Sequence, residues 1–163
     1  AVKGQAVTLS ETQNVTFDIE ELIKRVNILM KHELKNAIVY LNISVKADEH
    51  TRIQGDINSL VQVINNMISN AIQSYEGKTN QTIDLIIEQV GNQLHISIKD
   101  YGCGLPPKVQ DKLFKEMITT KGKNGTGLGL YMSYSTIKAH FGGDITFESQ
   151  EGNGTTFTII LPL

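Results

Sequence analysis

Apolar residues follow two different spacings along this chain, and the alternation between the two limits the folds open to it. In the segments 19–34 and 57–75 they recur every three or four residues, as on one face of a helix. Shorter apolar segments, in which polar residues often alternate with them, predict strands at 38–45, 82–90, 94–99, 144–149 and 155–161. Because helices and antiparallel-prone strands occur in mixed order, the sequence predicts the α+β class: a two-layer sandwich with helices on one face of a mixed, mostly antiparallel sheet.

Local signals mark where these elements begin and end. Asp18 and Asp56 each precede a helical pattern and are expected to cap it, since a carboxylate can accept the unpaired N–H groups of a first turn. The second helix is expected to end near Tyr75, before Gly77. The remaining predictions are short strands at 15–18 and 51–54, tight turns at 91–92 and 151–154, and a last helix at 129–141.

Length and composition favour one domain. The chain has 163 residues, and its 40% hydrophobic content is enough for a core. Residues 1–14 show no sustained spacing and are interpreted as a tail or linker remnant, so the domain is predicted at 15–163. Since the chain opens on Ala1 without an initiator Met, it is expected to be a piece of a longer protein.

Charge and cysteine content exclude several classes of function. Fifteen basic against seventeen acidic residues give a net charge of −2, so binding to nucleic acid or to a membrane surface is not expected. Cys103 is the single cysteine, which rules out an intrachain disulfide, and no apolar stretch has the length of a signal sequence or transmembrane segment. A cytoplasmic location is therefore expected for this part of the protein, whether or not the full-length protein is anchored in a membrane.

Glycines cluster between residues 100 and 129, where six of the fourteen in the chain occur. Six residues in this region, Gly125-Thr126-Gly127-Leu128-Gly129-Leu130, lead directly into the last predicted helix. Such a loop lets backbone N–H groups encircle phosphate oxygens, but a glycine-rich turn before a helix can also be purely structural. The loop is neither a Walker A motif nor a Rossmann fingerprint, because it lacks the Gly-Lys-Ser/Thr ending and does not follow a strand.

Two further patterns carry possible chemistry. Asp100 ends an apolar strand and is followed by Gly102 and Gly104, so its carboxylate could accept a hydrogen bond from an exocyclic amine such as that of adenine, or could simply be solvated in a turn. Asn66 and Asn70 lie four residues apart on one face of the second helix. Their amides could serve Mg²⁺ bound to phosphate oxygens, or could be bonded to neighbouring backbone.

The order of these patterns resembles the catalytic, ATP-binding domain of bacterial sensor histidine kinases, within the superfamily that also includes gyrase B, Hsp90 and MutL. The resemblance covers 15–163 and implies the Bergerat type of ATP-binding fold. Five motifs carry it: the N box at 61–71, the first glycine box at 100–104, the F box at 113–121, the second glycine box at 125–130, and a closing strand motif at 152–157.

The resemblance assigns roles to individual residues at the adenine end of the site. It implies that Asp100 holds the adenine amino group and that Gly102 and Gly104 shape the pocket around the base. It further implies that Thr156 contributes through a water molecule.

At the phosphate end, the resemblance implies that Asn70 is the Mg²⁺ ligand. Asn66 is the expected catalytic residue, because it would order the metal and the triphosphate. Lys121 and the backbone amides of 127–130 would contact the phosphates, and Lys123 could share that charge. The nucleotide-binding residues of the second glycine box would be Gly125, Thr126, Gly127, Leu128, Gly129 and Leu130.

The segment 105–124 would form a lid over the nucleotide, anchored by Phe114. The chain departs from the family pattern just after Asn70. Gln73 stands where the family often has Lys, and Ser74 stands where an aromatic residue is common, with Tyr75 one place late. A phosphate contact from this part of the helix is therefore not expected.

The resemblance implies a sensor histidine kinase that places the γ-phosphate of Mg-ATP for attack by a histidine on a separate dimerisation domain. That domain, in a dimeric full-length kinase, and a response regulator are the expected partners. A hydrolase of the gyrase kind has a Glu one turn before the metal-binding Asn, to activate water; here that place is Asn66. An ATPase and an anti-sigma type serine kinase remain the alternatives.

The histidines and the cysteine of this chain are not expected to react. His32, in the run Lys31-His32-Glu33, resembles a phosphoacceptor motif, but it lies only 34 residues before Asn66, too few for a dimerisation hairpin. The other three histidines, His50, His95 and His140, lack metal-ligand spacing and are interpreted as structural or solvated. Cys103 is interpreted as lining the pocket.

Overall fold

The computed structural model describes residues 15–118 and 130–163, and these form seven strands and four helices. In chain order they are β1 (Thr16–Asp18), α1 (Ile19–Ala37), β2 (Val39–Lys46), β3 (Arg52–Gln54), α2 (Ile57–Ser74), β4 (Gln81–Val90), β5 (Gln93–Lys99), α3 (Pro107–Ile118), α4 (Leu130–Phe141), β6 (Asp144–Gln150) and β7 (Gly154–Pro162). Ten of these elements were predicted. The exception is α3, which occupies most of the segment interpreted as a lid.

The main sheet has five strands in the order β2-β4-β5-β7-β6. The β2–β4 pair is parallel and the other three pairs are antiparallel. The parallel pair arises because the connection from β2 to β4 runs through α2, and only a long crossover can bring two strands side by side in the same direction. A separate antiparallel pair joins β1 to β3. The predicted mixed, mostly antiparallel sheet is confirmed.

The core lies between the main sheet and the helices α1, α2 and α4. Alternate residues of the strands face it, as the period of two along a strand requires. On β4 these are Ile83, Leu85 and Ile87, each at most 1% exposed. The helices contribute one apolar face each, which for α2 consists of Ile57, Leu60, Val61, Val63, Ile64, Met67, Ile68 and Ala71.

The two predicted N-caps are present. The side chain of Asp18 accepts a hydrogen bond from Glu21 N at 2.9 Å, and this bond is the main reason why the pKa of Asp18 is lowered. Asp56 caps α2 by accepting from Asn58 N at 3.1 Å. The end of α1 lies beyond the predicted segment, since Ile38 adopts a left-handed conformation (φ 53°) and donates its N–H to carbonyls of the last turn.

None of the helices in 15–118 and 130–163 has the length and hydropathy needed to cross a bilayer.

Candidate functional site

Asp100 lies at the end of β5 and is only 5% exposed. Its backbone N–H donates to Thr155 O at 2.9 Å, which ties the strand end to β7. Its Oδ1 accepts two backbone N–H groups, from Gly102 at 3.0 Å and from Thr155 at 3.2 Å. Burial raises the pKa of Asp100, while these hydrogen bonds and one from Ser74 partly offset the shift. The structure therefore holds a buried carboxylate in a fixed orientation at the predicted position.

The two glycines after Asp100 are placed where a side chain would not fit. A Cβ on Gly102 would lie 2.3 Å from Ser74 Oγ and 2.6 Å from Ser74 O. A Cβ on Gly104, which has a φ of +68°, would lie 2.2 Å from Gln150 O. The loop is thus packed between the end of α2 and the β6–β7 turn, and Cys103 N fixes it further by donating to Ser74 O at 3.1 Å.

Ser74 and Tyr75, which depart from the family pattern, support this loop. The side chain of Ser74 is small, so Gly102 can pack directly against it. The hydroxyl group of Ser74 has one proton, which it can donate either to Ala71 O at 2.6 Å or to the Asp100 carboxylate. Tyr75 is 3% exposed; its hydroxyl donates to Thr82 O and accepts from Tyr101 N at 2.9 Å. This role was not predicted, because the sequence pattern at these positions was interpreted only in terms of phosphate contact.

Thr155 was also missed. The closing motif was interpreted through Thr156, which is partly exposed and pairs in register with Lys99. Buried residues alternate along β7 through Phe157, Ile159 and Leu161, and the same period places Thr155, which is 6% exposed, on the core side. Its N–H donates to Asp100 Oδ1. The alternation visible in the sequence places Thr155 on the core side, but it does not identify Asp100 as its partner.

Asn66 and Asn70 are both partly buried on α2. Asn66 Nδ2 donates to Ser133 Oγ at 3.3 Å, and Ser133 is a buried residue of α4 with 4% exposure. Because residues four apart share a helix face, Asn66, Asn70 and Ser74 form one row. The row starts beside α4 and ends against the loop that follows Asp100.

The remaining predicted site residues are only partly covered by the structure. Leu130 is the first residue of α4 and is 4% exposed. Phe114 lies within α3. The predictions for Lys121, Lys123, Gly125, Thr126, Gly127, Leu128 and Gly129, and for the lid beyond residue 118, lie outside the described residues.

Two of the histidines lie at the protein surface, and Cys103 belongs to the loop after Asp100. His32 is exposed on α1. His50 Nδ1 lies 3.6 Å from Asp18 Oδ2 at the protein surface. Burial and the nearby Glu76 raise the pKa of the Cys103 thiol, which disfavours its reactive thiolate form. Among the described residues no three His, Cys, Asp or Glu side chains come together as a metal site.

These features define a class of protein. An α+β sandwich with a buried acceptor at a strand end and two asparagines on one face of a helix is an arrangement suited to binding a nucleotide. Residues 55–163 match the family described as Histidine kinase-, DNA gyrase B-, and HSP90-like ATPase. The chain belongs to this family, and it is an ATP-binding domain.

Relatives within the family are named histidine kinases. The chain is 34% identical over 145 residues to Sporulation kinase A of Bacillus subtilis (strain 168), covering 89% of this chain and 23% of that protein. It spans 23% of the length of that protein and 38% of Sporulation kinase C from the same organism, so less than half of such curated relatives. The nucleotide-free catalytic domain of histidine kinase ThkA matches with a TM-score of 0.75 and 27% identity, covering 92% of this chain and 95% of that one.

A further solved structure is that of ThkA in complex with the response regulator protein TrrA. It matches this chain at 25% identity with a TM-score of 0.69, covering 91% of this chain and 41% of that one. The resemblance to a histidine kinase catalytic domain that the five motifs indicated is confirmed by these comparisons.

Proposed function

We propose that this domain, residues 15–163, binds Mg-ATP and positions its γ-phosphate for transfer to a histidine on a separate dimerisation domain. The observation that carries the proposal is the side chain at position 66. A water-activating hydrolase needs a general base there, whereas this chain has an amide that donates to Ser133. An amide cannot take a proton from water at neutral pH, which favours transfer over hydrolysis.

The described residues fit the adenine of ATP. Adenine presents an amino donor, and Asp100 offers a buried carboxylate whose Oδ1 is already held by Gly102 N and Thr155 N. A buried acceptor of fixed orientation selects a donor, because an unmatched polar group would lose its hydrogen bonds to water without replacement. Gly102 and Gly104 let the chain pass close to Ser74 and Gln150 and so form one wall of this pocket.

The asparagines fit the phosphate end. Mg²⁺ accepts neutral oxygen ligands and completes its shell with water and phosphate oxygens, and it would supply neutralisation of the triphosphate charge. Asn70 is the proposed ligand, and Asn66 is proposed to order the same region from one turn earlier. Lys121, Lys123 and the second glycine box remain proposals for phosphate contact, and Thr156 for a water-mediated contact to adenine.

The partners belong to the same proposal. A domain that only positions ATP needs a separate group to accept the γ-phosphoryl group. We propose that this acceptor is a histidine on the dimerisation domain of the same dimeric kinase. A response regulator would then take the phosphoryl group from that histidine. The complex of ThkA with TrrA supports this partner class, and a cytoplasmic location is proposed with it.

Incubation with γ-labelled ATP and Mg²⁺ tests the function. The chain alone is expected to gain no label at His32 and to release little phosphate, whereas adding its dimerisation domain should give an acid-labile, alkali-stable phosphohistidine. Acid-stable label would indicate the serine kinase alternative. Rapid phosphate release without an acceptor, abolished by Asn66→Ala, would indicate an ATPase and contradict the proposal.

A further inference from the structure

Ser133 forms a hydrogen bond that the proposed roles of the nucleotide motifs do not explain. It lies in the first turn of α4 and is 4% exposed, which is unusual for a hydroxyl-bearing residue. Asn66 Nδ2 donates to its Oγ at 3.3 Å, although the two residues are 67 apart in the chain. The bond therefore joins the helix of the N box to the helix that follows the second glycine box.

The bond lies at the wall of a cavity between these two helices. The cavity has a volume of about 410 Å³ and is lined by Ser59, Gln62, Val63, Asn66, Met132, Ser133 and Thr136. Three hydroxyl groups line it, and that of Ser133 accepts from Asn66 Nδ2. Ser59 Oγ donates instead to Asp56 Oδ2 at 2.7 Å.

We propose that Ser133 is a positioning residue, whose hydroxyl turns the Asn66 amide so that Nδ2 faces α4 and Oδ1 serves the phosphate and metal end of the site. A side-chain amide is planar and carries its donor and its acceptor on separate branches, so fixing one branch fixes the other. Removing the hydroxyl removes the acceptor that favours this orientation of the amide over the one with its NH₂ towards the phosphate end. This inference rests on the proposed function of Asn66.

A purely structural role for Ser133 makes a different prediction. If the serine only fills the space between α2 and α4, replacing it with Ala should change stability without changing how Asn66 is oriented. If it positions Asn66, the effect of its removal should disappear once Asn66 is itself truncated. Thr136→Ala is the matched control, since Thr136 is on the same helix and lines the same cavity.

Nuclear magnetic resonance tests the orientation without any nucleotide. In ¹⁵N-labelled protein, the side-chain NH₂ signals of Asn66 are identified by their loss in Asn66→Ala. They are expected to shift in Ser133→Ala and to stay in place in Thr136→Ala. Unchanged Asn66 signals in folded Ser133→Ala would overturn the proposal, whatever the protein does with ATP.

Calorimetry then tests the consequence for the phosphate end. Ser133→Ala is expected to weaken Mg-ATP binding about 3- to 10-fold, the effect of one hydrogen bond, and to leave metal-free ADP binding unchanged. In an Asn66→Ala background, Ser133→Ala should add nothing, because coupled residues are not additive. Ser133→Thr, which keeps the hydroxyl, should restore part of the affinity.

The outcomes separate the two proposals. Equal additive losses in both backgrounds, or equal losses for Mg-ATP and metal-free ADP, would overturn the positioning role of Ser133. Failure of the unmodified protein to bind Mg-ATP would instead refute the proposed function, and the resonance experiment would still decide whether Ser133 orients Asn66.

Discussion

Replacing Asp100 by Asn changes one atom at the base of the proposed adenine pocket. Asn is nearly the same size, and its amide oxygen can still accept from Gly102 N and Thr155 N, now bonded to Oδ1 at 3.0 and 3.2 Å. In that orientation the new NH₂ group occupies the second branch, where the carboxylate has an acceptor. A donor then faces the amino donor of adenine, so binding is expected to weaken while the loop keeps its conformation.

The size of the effect follows from the type of hydrogen bond that is lost. A hydrogen bond to a charged group contributes about 1.5–3 kcal/mol, which corresponds to a loss of roughly ten- to a hundredfold in ADP affinity. Isothermal calorimetry with ADP measures it. Asp84→Asn is the matched control, because this change removes the same charge from a carboxylate that contacts Tyr101 on the other side of the loop. Unchanged ADP affinity in Asp100→Asn, or no preference for ADP over GDP in the parent, would refute the assignment.

The pKa of Asp100 gives a second, independent measurement of the same residue. Burial raises this pKa in the folded protein, so its contribution to stability is complete below the unfolded pKa and is lost as pH rises through the folded one. Asp100→Asn should therefore gain stability relative to the parent as pH rises from below the usual pKa of an aspartate to neutrality, measured in urea titrations at each pH. A difference in the free energy of unfolding that stays constant over this range would contradict the buried, ionising carboxylate.

Three further changes test other parts of the site. Asn70→Ala should remove most of the Mg²⁺-dependent part of ATP affinity and leave metal-free ADP binding intact, which calorimetry with and without Mg²⁺ measures; a normal magnesium response would exclude Asn70 as the ligand. Tyr75→Phe should lower the free energy of unfolding by about 1–3 kcal/mol, because Tyr101 N and Thr82 O both lose a partner. An equal loss in Tyr40→Phe, at a residue that is 55% exposed, would argue against a specific role. Gly102→Ala should abolish detectable ADP binding, since its Cβ would lie 2.6 Å from a backbone oxygen; normal affinity in a folded variant would show that the loop does not form the pocket.

Sequence patterns predicted the seven strands and three of the four helices of the described residues because their signals are local. The apolar spacing of α1 and α2 reflects one buried face each, and Asp18 and Asp56 mark the first turns. The boundaries were less accurate. Ile38 ends α1 in a left-handed conformation that glycine or asparagine usually adopts, so no residue type indicated that the helix continues to Ala37. The helix α3 was missed because its segment was interpreted only through its resemblance to a lid.

For the candidate site too, the sequence predicted the residues that stand in short motifs but not the residues that contact them. Asp100, Gly102, Gly104, Asn66 and Asn70 could be proposed from the sequence, because each stands in a short motif whose residue types already suggest their chemistry. The partners of these residues could not. Ser133 is 67 residues from Asn66, and Thr155 is 55 residues from Asp100, so nothing in the local sequence connects them.

The sequence alone determined the class of fold, the order of ten of the eleven described elements and the residues proposed to bind a nucleotide, since periodicity and motif chemistry are properties of neighbouring residues. Only the tertiary structure decided that β2 pairs in parallel with β4, that Thr155 donates to Asp100, and that Ser74 and Tyr75 support the loop after Asp100. The physical reason is that hydrogen bonds and close packing act over a few ångströms in space, whereas the residues that make them are separated along the chain until the sheet and helices have assembled.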